Sequence, residues 1–382
     1  MDVIIWMPEY GGVLMKNKSY DYDVIIVGAG PAGSTTARYI TLEDEDIRVL
    51  ILDKRKEVGT PVQCGEGLSK ISEWKTIIPK DYPLRELFSF PNKLIAQDIK
   101  YIDMISPYQT SYRLEYNGWV LYRNLFDQHL AELAINQGAE LRLNTSVRGL
   151  KDKHTVLTSN GAVTGNVIVG ADGPKSIIAK SCGLKTPSDL HFLCPSAVSI
   201  VKGDFYDNVK RVYFGRRYSG GFAWIFPKGD TANIGIGCEL KYRTPLRKIL
   251  NNFLKDLGVS SEDVLYHGGG LIPLGGPIPQ TVNDNVLIVG DAAGMVFPST
   301  GGGIGPAMIA GRECGLAIIN YFNNGTSLNA YDINWRRLLE SALTRSLKEK
   351  NRYLWLTKHD LLLETLLHLF GKHSFEVGGT YP

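Results

Sequence analysis

Cysteine is scarce and nowhere paired: the 382 residues hold five, Cys64, Cys182, Cys194, Cys238 and Cys314, with no CxxC spacing. That argues against a zinc site and gives no disulfide framework. An odd count without a secretory signal fits a reducing compartment, so a cytoplasmic location is expected. An excess of either charge is also lacking. The 42 Lys+Arg against 39 Asp+Glu leave a net charge of +3, too mild for a nucleic-acid binder, whose affinity rests on clustered phosphate neutralisation. Long unbroken apolar runs are missing too. Ala292–Gly311 carries no charge and is long enough to span a bilayer, but it is crowded with Gly and Pro and reads as a loop entering a helix. Residues 1–20 show no basic region followed by an apolar run, hence no signal peptide. Met15 is the more natural start, and residues 1–14 read as an over-called start or a flexible tail. Internal repeats and low-complexity linkers are absent.

What is abundant is glycine, 41 residues, much of it in loops at the ends of apolar runs. Val24–Val27 (VIIV) reads as a buried parallel strand. Gly28-Ala-Gly30-Pro-Ala32-Gly33 follows, then a small-residue helix over 34–40 and a second strand, Arg48–Leu52, closed by Asp53. This is a βαβ unit. Gly28 permits the tight turn, Gly30 lets the backbone approach a pyrophosphate, and Gly33 lets helix and strand pack. The helix N-terminus faces the anion. Asp53 stands where a ribose-binding carboxylate belongs; the plainer alternative is a solvated strand-end acid beside Lys54 and Arg55.

Two further strand-ends carry glycine loops. Val167–Val169 leads into Gly170-Ala-Asp172-Gly173-Pro-x-Ser176. Val286–Val289 leads into Gly290-Asp291-Ala-Ala-Gly294, with Pro298 and Gly301–Gly303 behind it. A carboxylate at Asp291 can accept hydrogen bonds from ribityl hydroxyls. The amides of Gly302, Gly303 and Ile304 can open a helix, expected over 305–322, aimed where a reduced flavin builds negative charge. Either loop alone could be a polar turn; three in this order leave that reading little room. Residues 123–137 are spaced for one helix face, 140–158 read as strands, and 190–270 alternate like a larger antiparallel sheet.

The order GxGxxG, RxxFDxxL (Arg123, Phe126, Asp127, Leu130), GADGxxS, GDAAG resembles the glutathione-reductase-type flavoproteins of the aromatic-hydroxylase branch. The resemblance implies an α/β (α+β) fold: an FAD-binding Rossmann domain with an inserted antiparallel-sheet substrate domain and a C-terminal helical segment. The expected division is a tail over 1–19, the FAD domain over 20–72, 118–180 and 280–330, the substrate domain over 73–117 and 181–279, and helices over 331–382. It further implies FAD contacts from Gly28, Gly30, Ala32, Gly33, Asp53, Arg123, Asp172 and Asp291, from Gly302–Ile304, and from the backbone at Val147 beside adenine. Arg123 could otherwise be an exposed helix-start arginine, and any apolar strand residue could stand at Val147.

Two segments narrow the family. Pro61-Val-Gln-Cys64-Gly65-Glu66-Gly67 follows the second strand. Phe222-Ala-Trp224-Ile-Phe226-Pro227 precedes Gly235-x-Gly237. Together they resemble geranylgeranyl reductases, particularly archaeal enzymes that saturate the isoprenoid chains of membrane lipids, over Tyr22 to about Gly325. Phe222 stands where that family commonly has tyrosine and supplies no hydroxyl. The implied reaction is hydride and proton addition to an isolated alkene, with Phe222, Trp224, Phe226 and Pro227 as the apolar substrate wall; an ordinary sheet core is the alternative. Cys64, with Gly65 and Gly67, is placed beside the flavin as a candidate in proton transfer, against the alternative of a small buried hydrophobe. Glu66 is a weaker proton-donor candidate, against a solvated loop acid. With no second GxGxxG for a nicotinamide, the electron donor is either transiently docked NAD(P)H or reduced ferredoxin. A flavin monooxygenase or halogenase of the same fold is the enzymatic alternative, and a flavin-binding redox module the non-catalytic one. The stripe over 353–370, with Lys358 and His359 within it and Lys372 and His373 following it, is read as packing on the domain, with one edge available for peripheral membrane contact.

Overall fold

Among the described residues, two sheets of eight strands organise the fold. The computed structural model describes residues 19–188, 193–218, 220–239 and 245–370, so residues 1–14, Lys372 and His373 lie outside the described residues, as do the side chains of Leu354 and Phe370. In the first sheet β1 (Tyr22–Val27), apolar from Val24 onward, is central, with β2 (Val49–Leu52) and β9 (Gly161–Gly170) parallel on either side. Outward lie β6 (Glu140–Arg142) beyond β2 and β16 (Val286–Ile288) beyond β9. The edge strand β15 (Val282–Asn283) and the pair β7 (Val147–Asp152) and β8 (Thr155–Thr158) are antiparallel additions. Continuous apolar runs such as Val24–Val27, Val49–Leu52 and Val167–Val169 are what a parallel sheet covered on both faces requires.

Two helices pack on this sheet as a pair, α1 (Pro31–Glu43) and α7 (Ile304–Asn324). Gly311 and Gly315 set how closely they approach: a Cβ on Gly311 would lie 2.7 Å from the Ala32 carbonyl oxygen, and one on Gly315 would lie 2.9 Å from that of Thr36. Helix α4 (Arg123–Ile135) packs beside α1, and the short α5 (Ile177–Ser181) follows β9.

The second sheet runs β14 (Val264–Pro273), β10 (Leu193–Phe205), β13 (Gly229–Cys238), β12 (Gly221–Pro227), β11 (Val209–Tyr213), β4 (Ile95–Ile105), β5 (Ser111–Leu121), β3 (Gly67–Ser69). It is antiparallel, as the alternation over 190–270 predicts, except where β11 runs parallel to β4. Along β12 the period of two separates the faces. Ala223 and Ile225 join the core under α6 (Leu246–Asp256), and Phe222, Trp224 and Phe226 point the other way.

Sheet membership shifts the expected division. Gly67–Ser69 and residues 118–121, expected with the first domain, pair in the second sheet. Residues 73–94, expected in the substrate part, hold the end of α2 (Ile71–Trp74) and all of α3 (Leu84–Leu87), and their Trp74, Leu84, Leu87 and Phe88 pack in the main core around the first sheet. The C-terminal helices clamp both layers. Helix α8 (Asn329–Trp335) continues through a wider turn at 336–340 into α9 (Ser341–Leu356), and α10 (Asp360–Phe370) follows. Tyr331 Oη donates to the Ile288 carbonyl at 2.9 Å, and Trp335 Nε1 to Thr281 Oγ1 at 3.0 Å. On α10, Leu363 and Leu367 pack on Met104, while Leu361 and Leu369 are 70% and 62% exposed. That is the expected packing with one free edge.

Candidate active site

The first glycine loop folds as its spacing demands. Gly28 has φ +109°, and a side chain there would run into the Ala171 backbone, so the β1 turn and the loop after β9 lie against each other. Gly30 has open space where a Cβ would be. Asp53 is not a solvated acid. It is 4% exposed and accepts from the Ala29 amide at 2.9 Å and the Arg55 amide at 2.8 Å, tying β2 to the turn. Ala32 is buried, its Cβ 2.7 Å from where a Cβ on Gly290 would sit.

Both long helices start on glycine, Gly30 for α1 and Gly303 for α7, with no side-chain cap and no acid in the first turn. Their first amides are left for an anion. The 303 end lies beside Asp291: a Cβ on Gly303 would be 3.2 Å from Asp291 Oδ1. Enclosure pushes the Asp291 carboxyl up to about 6, with Arg123 pulling it back. Among the described residues no protein hydrogen bond engages that carboxyl. Arg123 is not an exposed helix-start residue. Its Nε donates to Asp127 at 2.7 Å, its side chain is 16% exposed, and it lies within electrostatic reach of Cys64 and Asp291.

Asp172, expected at the cofactor, is bonded within its own loop. Its carboxylate accepts from Ser176 Oγ at 2.5 Å, the Ile177 amide at 2.7 Å and the Ile178 amide at 3.2 Å. Ser176 in turn caps α5. This acid is occupied in shaping its own loop. Val147 sits in β7 paired with Thr158, off the parallel strands.

The loop 64–67 and the β12 aromatics, distant in sequence, come together. A Cβ on Gly65 would lie 3.1 Å from the Phe226 ring and 3.5 Å from Trp224 Nε1. Trp224 is 5% exposed and donates from Nε1 to Asn233 Oδ1 at 2.9 Å. Asn233 returns Nδ2 to the Cys64 carbonyl at 2.8 Å and to Glu66 at 3.0 Å. Phe222 and Phe226 flank Trp224 at ring distances of 6.1 Å, and Pro227 ends the strand, buried.

Glu66, expected as a loop proton donor or else a solvated acid, is not solvated. It is 1% exposed. Its two oxygens take Lys228 Nζ at 2.8 Å each, and the Asn233 and Arg123 amide donors at 3.0 and 3.2 Å. A carboxylate with that many donors is a pin: it ties the loop to β12–β13 and to the start of α4. Lys228 and Asn233 were missed in the sequence. The available signal was a lysine directly after an apolar strand ending in Pro227.

Residues 196–272 match the family described as the geranylgeranyl reductase catalytic domain. Residues 26–66 match an NAD(P)-binding Rossmann-like domain, and residues 239–363 the lycopene cyclase protein family. A digeranylgeranylglycerophospholipid reductase of Methanosarcina acetivorans is 34% identical over 368 residues, spanning 89% of this chain and 86% of that one. One from Methanococcus aeolicus is 32% identical over 346 residues, 86% of each. The chain belongs to the digeranylgeranylglycerophospholipid reductase family. Membership in that family makes it an oxidoreductase acting on carbon–carbon double bonds. Among solved structures, a geranylgeranyl bacteriochlorophyll reductase-like protein from Thermoplasma acidophilum superposes with TM-score 0.79 at 25% identity, covering 92% of both chains. A flavin-dependent brominase, 18% identical with TM-score 0.68 over 94% of both, shares the fold alone with this reductase family member.

Proposed function

We propose that this chain is an FAD-dependent reductase that saturates geranylgeranyl double bonds of membrane ether lipids. The observation that carries the reading is the meeting of the Cys64–Gly67 loop with the Trp224 wall beside Arg123 and Asp291. The chain's own groups suit FAD. Two uncapped glycine-started helices offer amides for a pyrophosphate and for the flavin's pyrimidine edge, Gly30 leaves room for close approach, and Asp291 is an enclosed acceptor with no donor among the described residues. Reduced FAD supplies a hydride when bound.

The remaining work falls to the protein. Gly28, Gly30, Gly33 and Asp53 shape the nucleotide end, and the backbone at Val147 is proposed beside adenine. Arg123, with its remaining guanidinium nitrogens, and the loop Cys64, Gly65 and Gly67 line the flavin end. Phe222, Trp224, Phe226 and Pro227 hold a greasy chain and exclude water. Cys64 holds the proton for the second alkene carbon. The electron donor is docked NAD(P)H or reduced ferredoxin. Among the described residues no helix is long and apolar enough to cross a membrane. Access to lipid is proposed through peripheral contact of the outward edge of Trp355, Leu361 and Leu369.

The test is anaerobic incubation of the purified, dithionite-reduced enzyme with geranylgeranyl phospholipid, followed by lipid mass analysis. A gain of about two mass units per bond is expected. A product formed only with oxygen, and hydroxylated or halogenated, would overturn the reading in favour of a monooxygenase or halogenase.

A further inference from the structure

The loop that leads into α7 is held by the C-terminal helices. Between Phe297 and Gly302 the chain closes on itself. The Phe297 amide donates to the Gly302 carbonyl at 3.0 Å, and the Gly301 amide donates back to the Phe297 carbonyl at 2.8 Å. Those bonds fix the loop's shape and leave its placement to outside contacts. Ser299 makes them, and all three of its polar groups go to α9. Its amide donates to Ser346 Oγ at 2.9 Å, its hydroxyl shares a hydrogen bond with the same oxygen at 2.7 Å, and its carbonyl accepts from Tyr353 Oη. Ser346 is buried. Tyr353 stands seven residues further on, two turns along the same helix face.

That face of α9 is also anchored to the strands that carry the aromatic wall. Lys350, buried between the two loop-holding residues, donates from Nζ to Glu239 at 3.0 Å and to the Leu274 carbonyl at 2.5 Å. Just past the helix, Thr357 Oγ1 accepts from the Gly220 amide at 3.3 Å. Glu239 follows β13 and Gly220 precedes β12, and the two meet: the Glu239 amide donates to the Gly220 carbonyl at 3.0 Å. Phe222 and Trp224 come next along β12, and Gly235 of β13 lies under the Trp224 indole. One rigid helix therefore grips the loop at Ser299 and the wall at the open end of β12–β13. Reacting groups carried on separate sheets need such a fixed spacer, because small displacements at a reacting centre slow the reaction steeply.

We propose that Ser346 and Tyr353 are positioning residues: by holding Ser299 they set the Gly302–Ile304 amides against the flavin, and the flavin against the Trp224 wall. This rests on the FAD reading above. Both side chains act through the loop backbone. Amides fixed in place stabilise the negative charge of a reduced flavin without having to reorganise. Slack in the loop therefore weakens the reduced form's binding more than the oxidised form's.

The experiment is the midpoint potential of enzyme-bound FAD, read anaerobically against a reference dye, in wild type, Ser346→Ala, Tyr353→Phe and the double variant, with the apoprotein melting temperature measured alongside. In the double variant the preference for reduced over oxidised flavin is expected to fall about tenfold, which lowers the potential by about 30 mV for a two-electron couple. Tyr353→Phe alone removes one hydroxyl and keeps the ring. It is expected to change that preference roughly threefold, about 15 mV, and it decides the matter if the double variant does not fold. A lowered melting temperature with a wild-type potential makes the contacts structural only and overturns the proposal. A wild-type protein that takes up no FAD brings down the cofactor reading and this proposal together. FAD bound at the wild-type potential in every variant brings down this proposal alone. If the potential shifts but lipid never reoxidises the wild-type enzyme, the reductase reading falls and the positioning role stands.

Discussion

Replacing Glu66 with glutamine keeps the shape of the pin and removes its charge. Lys228 is then left 6% exposed, its ammonium 5.1 Å from the Tyr122 ring centroid and without its carboxylate. Breaking a buried pair from one side costs about 3–5 kcal/mol, because the surviving charge stays desolvated. That is a large share of the roughly 5–15 kcal/mol by which a folded protein is stable. The pair joins β12 to the loop and to α4, so the loss falls on the contact between the two sheets. The assay is urea unfolding followed by flavin release and by circular dichroism. Glu66→Gln is expected to lower the midpoint with the slope unchanged, and to release flavin before global unfolding. Glu66→Gln with Lys228→Met should recover most of the loss, since no unpaired charge remains. A Glu66→Gln protein within about 1 kcal/mol of wild type, with flavin retained to the same urea concentration, would refute the pin.

Asp291 gives a pH prediction. Its folded-state carboxyl is pushed up to about 6, above its unfolded value. The folded apoprotein therefore keeps a proton that the unfolded chain has released, and stability falls as pH rises from about 4 to about 6 and then levels. Asp291→Asn removes that fall, which is at most about 3 kcal/mol, and makes the apoprotein more heat-stable at pH 8 while weakening FAD binding; thermal melts of apo and loaded protein check both. Gly235→Ala would place a Cβ 2.5 Å from Trp224 Cε2, so the indole must move. FAD content should stay and lipid-dependent turnover fall at least tenfold, about 1.4 kcal/mol. Leu361→Asp with Leu369→Asp on the exposed edge of α10 should reduce co-sedimentation with anionic liposomes without changing the melting temperature. Unchanged sedimentation would place membrane contact elsewhere.

Much of this arrangement was legible in the chain, for physical reasons that differ by element. Strands such as Val24–Val27 and Val286–Ile288 are apolar on every residue because both faces are covered, and their glycine ends announce close backbone approach. The alternation in Phe222–Pro227 separated a helix-covered face from an aromatic one. The segment over 71–94 was not legible. Its helices Ile71–Trp74 and Leu84–Leu87 are a single turn each, too short for periodicity, and only tertiary packing of Trp74 and Phe88 assigns them to the main core. Charged pins were equally hidden. Glu66 read only as a loop proton donor or a solvated acid, and Lys228 was not singled out, until the sheets close over them. Asp172 showed the converse: its motif marks the loop, while its carboxylate serves the α5 cap.

The most direct test of the central claim is anaerobic single-turnover reoxidation of the dithionite-reduced, FAD-loaded enzyme by geranylgeranyl phospholipid, with the fully saturated lipid as control. The account predicts rapid reoxidation by the unsaturated lipid alone, slowed in Trp224→Ala and in Cys64→Ala. Equal reoxidation by both lipids, or none by either until oxygen is admitted, would contradict it.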